Sequence, residues 1–131
     1  MKWKLGDKTF EFLIGKKQEY VNPNDEGEEE ILKRFIKNFN CDLKILHNSS
    51  NYSTVQYHDF DLMRLKYGDK AKWVEICIPS EIKKKYIDNP LFDAEKNKNR
   101  VFWKANINKV EDLNNFIDII YENIQIRDEQ D

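Results

Sequence analysis

An α+β domain is the fold this sequence predicts: an antiparallel or mixed sheet of about five strands, two long helices on one of its faces, and a short connecting helix. Three observations predict it. Apolar residues recur at helical spacing in two segments, around 25–39 and 108–124. Between them, residues 52–78 alternate apolar and polar side chains and are interrupted twice by turn residues. The order along the chain is strand, helix, strands, short helix, strand, helix, which suits one layer of helices packed on one sheet.

Residues 8–14 open the pattern, with Phe10, Phe12 and Ile14 on one side of a strand and turn signals at Gly6-Asp7 and Gly15. The first helix is predicted from Asp25 as cap, with Glu28 completing a capping box. Ile31, Leu32, Phe35, Ile36 and Phe39 form its apolar stripe. Acids crowd its first turns and Lys33, Arg34 and Lys37 follow, an order that complements the helix dipole. Residues 42–46 read as a short strand ended by the polar run 47–51. A three-stranded meander follows over 52–57, 60–67 and 71–78, turning at His58-Asp59 and at Gly68-Asp69-Lys70. Val74, Ile76 and Ile78 face one side of its last strand; Trp73, Glu75 and Cys77 face the other.

Ser80 is the expected cap of a short helix through Tyr86-Ile87, which Asn89-Pro90 stops. Residues 91–99 read as a polar connection. Val101, Trp103, Ala105 and Ile107 alternate as the last strand. Asn108 with Glu111 is the expected capping box of the final helix, whose stripe is Leu113, Phe116, Ile117, Ile120, Tyr121 and Ile124. With no internal repeat and no dividing linker, the 131 residues predict a single domain, frayed at 1–7 and 127–131.

Composition narrows the functional classes. With 40 % hydrophobic and 13 % aromatic residues, the chain has enough apolar material for a core. Its net charge of −2 excludes a uniformly basic nucleic-acid coat and an acidic tail. Cys41 and Cys77 form no paired motif, as expected in a reducing compartment; one disulfide is the competing reading. No charge-free apolar run reaches the ~18 residues of a membrane span. The expected location is the cytoplasm. The bias towards Lys, Asn and Ile over Ala fits an AT-rich genome, bacterial or phage.

Catalytic signatures are weak. His58 stands beside Asp59 and Asp61, a pairing that serves base catalysis or metal binding elsewhere, yet no further ligand spacing accompanies it. An enzyme built on His58 with Asp59 or Asp61 therefore ranks third among the functional readings. Cys77 reads as a small buried hydrophobe. Four scattered glycines exclude a phosphate-cradling loop. A strand acid at Asp61 followed by Glu75-Ile76-Cys77 lacks the lysine that metal-dependent nucleases place after the glutamate. No catalytic residue, metal ligand or cofactor is assigned.

Charge is unevenly distributed. Residues 64–104 hold eleven bases and six acids, a balance of +5. Residues 19–30 hold six acids and no base, and 111–131 hold seven acids and one base. On strand 60–67, strict alternation places Arg64 and Lys66 on a face with Phe60 and Leu62; Phe102 and Lys104 lie opposite Trp103 on the last strand. A basic, aromatic-bearing sheet face of this kind suits phosphate contact and base stacking.

The segments Arg64-Leu65-Lys66-Tyr67, Lys72-Trp73-Val74-Glu75-Ile76, Asn89-Pro90-Leu91-Phe92 and Phe102-Trp103, with the closing run Glu111-Asp112-Leu113, Phe116-Ile117 and Ile120-Tyr121-Glu122, resemble small bacterial domains of unknown function found beside or fused to DNA-processing proteins. The resemblance spans about residues 30–124, rests on packing patterns, and implies a DNA-associated accessory role. The leading expectation is a small non-enzymatic binding module for nucleic acid, using Arg64, Lys66, Lys72, Arg100, Phe102 and Lys104. Charge reversal at Arg64 and Lys66 should then abolish binding and spare folding. The alternative is a protein-interaction or inhibitor module of mobile-element origin, meeting a basic partner through its acidic helix surfaces.

Overall fold

The computed structural model describes residues 22–130. The strand expected over 8–14 and the fraying expected over 1–7 lie outside the described residues. Within them the chain is α+β, with a five-stranded sheet, antiparallel throughout. Strands β1 (Lys44–Leu46), β2 (Ser53–Tyr57), β3 (Phe60–Tyr67), β4 (Lys72–Cys77) and β5 (Phe102–Asn106) lie side by side in chain order.

Helix α1 (Asp25–Phe35) begins one residue earlier than a capping role for Asp25 requires. Asn24 stands at its cap, with no side-chain cap bond. Glu28 does not turn back to the helix start either. Its fully buried carboxylate accepts hydrogen bonds from Asn22 Nδ2 (3.0 Å), Ser53 Oγ (2.7 Å) and the Tyr67 N–H (2.8 Å). Donors in the protein replace the water a buried carboxylate gives up, so Glu28 ties the helix to β2 and β3. Gly68, just past β3, lies so close to this entry that a Cβ there would stand 2.8 Å from Asn24 Nδ2.

The expected short helix over 80–87 divides into a 3₁₀ turn at Ser80–Ile82 and α2 (Lys83–Tyr86), without a side-chain cap from Ser80. The connection expected over 91–99 contains one further turn of helix, α3 (Ala94–Asn97), capped by the Asp93 side chain on the Lys96 N–H. The final helix starts as a 3₁₀ segment, Val110–Phe116, and becomes α4 (Ile117–Gln130). Asp112, not Glu111, satisfies its entry, accepting the N–H groups of Asn108 (2.8 Å) and Lys109 (3.1 Å). Helix α4 runs past residue 126, where the sequence reading ends the ordered chain, and Asp128 accepts a hydrogen bond from Tyr57 Oη.

One core cluster joins Leu32, Phe35 and Phe39 with Leu113, Phe116, Ile120 and Ile124 and with the strand residues Val55, Met63, Leu65, Val74, Ile76 and Trp103. Burial of such side chains contributes about 1.5–3 kcal/mol each before the ordering cost. The pairing of β2 with β3 contains a bulge. Val55 pairs with Met63 and Gln56 with Asp61, so Leu62 has no partner of its own. A bulge offsets the alternation by one residue. Leu62 and Met63 are both fully buried, and Phe60 turns towards α4, where the Arg127 guanidinium lies 4.4 Å from its ring.

Candidate nucleic-acid interface

The bulge decides which side chains share the face opposite the core cluster. Strict alternation groups Arg64 and Lys66 with Phe60 and Leu62. The structure overturns that grouping: Leu62 joins the core cluster and Phe60 lies against Arg127 of α4. The residue aligned with Arg64 is Asp61, whose carboxylate lies 3.9 Å from Arg64 Nη2 and accepts from Gln56 Nε2 at 2.9 Å. On β4 and β5 the alternation holds: Val74, Ile76, Trp103 and Ala105 enter the core, which leaves Trp73, Glu75, Phe102 and Lys104 on the opposite face.

These side chains interlock. The Arg64 guanidinium stands 3.9 Å from the Phe102 centroid and 5.2 Å from that of Tyr52, and Nη1 is 3.4 Å from Glu75 Oε1. Tyr52 and Trp73 form a tilted pair 6.0 Å apart. The Lys104 ammonium stands 4.8 Å from the Trp73 ring, which is only 8 % exposed beneath it. Lys66 donates to the Asn51 side-chain oxygen at 2.9 Å and to its carbonyl at 3.3 Å.

Of the six residues singled out in the sequence, four meet on this face: Arg64, Lys66, Phe102 and Lys104. Lys72 does not join them. It pairs with Tyr67 across β3 and β4, and its ammonium lies 5.2 Å from the Tyr67 ring, one residue out of phase with Trp73. Arg100 precedes β5 and lines a depression of about 430 Å³ with Lys96, Lys104, Asp93, Asn97 and Asn106. Tyr52, Trp73 and Lys96 are the members sequence reasoning missed. The alternation of β4 was a signal for Trp73; for Lys96 the helical turn α3 was needed.

The remaining cations of 64–104 do not all converge. Lys83, Lys84 and Lys85 stand on α2, where Lys85 pairs with Glu122 at 2.7 Å. Lys98 lies 3.8 Å from Glu95. The acidic first turns of α1 are largely matched within the chain. Glu29 meets His47 Nε2 at 2.7 Å and Lys33 at 3.1 Å, and Glu30 lies 3.8 Å from Arg34. The His47 hydrogen bond, then Lys33, holds the Glu29 carboxyl below its ordinary value.

Groups with catalytic potential are engaged structurally. Ser53 Oγ is 3.2 Å from His47 Nδ1, but Ser53 is fully buried and donates to Glu28. His58 occupies the β2–β3 turn with its ring against Tyr57, while Asp61 belongs to the sheet face. Cys41 and Cys77 are both free thiols, so the competing disulfide reading falls; burial pushes the Cys41 thiol up. Among the described residues, no group of three or more His, Cys, Asp or Glu is placed to hold a metal ion, and no helix is long and apolar enough to cross a membrane. Comparison with known proteins finds no matching family model, curated protein or solved structure.

Proposed function

We propose that this chain is a small non-enzymatic binding module that takes nucleic acid on the sheet face opposite its core cluster. The observation that carries the reading is the grouping of Tyr52, Trp73 and Phe102 with Lys66 and Lys104 on that face, bordered by Lys96 and Arg100. Aromatic rings offer stacking surface and exposed cations offer phosphate contacts, and a nucleic acid uses both. The internal pairing of Glu28, Glu29 and Glu30 favours this reading over docking through an acidic helix surface.

Arg64 has a different role here from the one its charge suggests. Held between two rings and beside two carboxylates, it positions the face. Phosphate contact falls to Lys66, Lys96, Arg100 and Lys104. The test is a titration with mixed-sequence DNA and RNA oligonucleotides over a range of salt. Affinity should fall steeply as salt rises. Lys96→Glu with Lys104→Glu should weaken binding while leaving the thermal midpoint near that of the parent. Absence of any salt-sensitive binding would overturn the reading.

A further inference from the structure

We infer that the occupant of this face is RNA in single-stranded form, its backbone seated along Lys96, Arg100 and Lys104 and one base laid on Trp73. The inference rests on the nucleic-acid reading above and narrows it.

The strandedness follows from what the face offers. Trp73 is only 8 % exposed, and the Lys104 ammonium lies over its ring, 4.8 Å from the centroid. Lys104 is exposed and has the freedom to swing towards the adjoining depression, which it also lines. Its departure opens a ring face already flanked by Tyr52. Only an unpaired base presents a π-face to that ring; in a duplex those faces are stacked on one another. At the centre of the face Asp61 and Glu75 flank Arg64, and the carboxylate oxygens not engaged there can accept the N–H groups of exposed base edges.

The sugar follows from the depression. Its three cations are accompanied by the Asp93 carboxylate and the amides of Asn97 and Asn106. The Asp93 carboxylate meets the Lys96 N–H at 3.3 Å, so it retains accepting capacity. A DNA backbone brings only acceptors to such a place, and a carboxylate there opposes it. RNA brings the 2′-hydroxyl, a donor that the carboxylate can accept.

The experiment measures fluorescence anisotropy of labelled oligouridylate, oligodeoxythymidylate of equal length and an RNA duplex of equal charge, at one fixed salt concentration. Oligouridylate should bind roughly tenfold tighter than the duplex, the size of one base stacked on an aromatic ring. It should also bind several-fold tighter than the deoxy strand. Asp93→Gly removes the acceptor, is tolerated at a helix cap, and should erase the preference for ribose without loss of folding. Trp73→Phe should remove the tryptophan quenching that accompanies binding. Equal affinity for duplex and single strand, or for ribose and deoxyribose, overturns the inference and leaves the nucleic-acid reading standing. Failure of all three probes to bind removes both.

Discussion

The guanidinium of Arg64 on β3 reaches over the intervening strand β4 to lie 3.9 Å from the Phe102 ring on β5. Its Nη1 meets Glu75 of that intervening strand on the way. One side chain thus clasps three strands on the face opposite the core cluster. The preorganisation of that face depends on a charge that is three-quarters removed from water.

Replacing Arg64 by Gln should therefore act on stability first. Loss of the cation–π contacts with Phe102 and Tyr52 and of two partly screened ion pairs amounts to about 1–2 kcal/mol. The measurement is the urea midpoint of the variant against Lys104→Gln, which should unfold close to the parent. Reversal to Glu at Arg64 and Lys66 should lower the midpoint further, because it sets a third carboxylate beside Asp61 and Glu75. On this geometry the double reversal is expected to cost stability as well as binding. An unchanged midpoint in Arg64→Gln would mean the clasp carries no stability.

Glu28 supplies a second, larger effect. Its carboxylate serves three donors on three parts of the chain, two of them in fully buried bonds and the Tyr67 N–H in a partly buried one. Glu28→Ala leaves those donors without an acceptor and should cost about 3 kcal/mol. Linear extrapolation of urea unfolding tests this directly, and a loss below about 1 kcal/mol would show that water enters and takes over the acceptor role.

The sheet was legible because β-strands announce themselves by alternation and turn residues, and every segment of the meander carries both. The face of β3 was not legible. A bulge has no sequence signature in Phe60-Asp61-Leu62-Met63, and one extra residue moved Phe60 and Leu62 to the side opposite Arg64. The caps failed for a related reason: Glu28 and Asp112 each have several donors within reach, and tertiary position chooses among them. The basic rim was half visible, since Arg100 and Lys104 were named but the turn of helix that brings Lys96 beside them lay in a stretch read as loop.

Acid should weaken the fold through Asp112. The N–H groups of Asn108, then of Lys109, bond its ionised carboxylate and hold it below its ordinary value. A depressed folded value means the stabilisation is complete above the ordinary carboxylate range and disappears as pH falls through the depressed value. Asp112→Asn keeps an acceptor but loses the charge, so it should be less stable than the parent at neutral pH and converge with it in acid. Glu29, lowered in the same direction by His47 and Lys33, keeps some acid sensitivity in the variant. Urea midpoints at neutral and acidic pH give the comparison, and a constant gap between the two proteins would exclude the assignment.

The β2–β3 hairpin stores strain at His58, the one non-glycine residue with positive φ (53°) among the described residues. Two residues, His58 and Asp59, join the strands, and hairpins this tight favour turns with a left-handed first position. An L side chain there pays about 1–2 kcal/mol, and glycine does not. The ring contact with Tyr57, 4.3 Å between centroids, offsets part of that cost in the parent. His58→Gly should accordingly unfold at or slightly above the parent's midpoint. His58→Val, β-branched and without an aromatic ring to lay on Tyr57, should fall below the glycine variant by about 1–2 kcal/mol. The difference between the two variants isolates the backbone term, since both lose the imidazole. Equal midpoints would mean that the turn relaxes to a different conformation in solution.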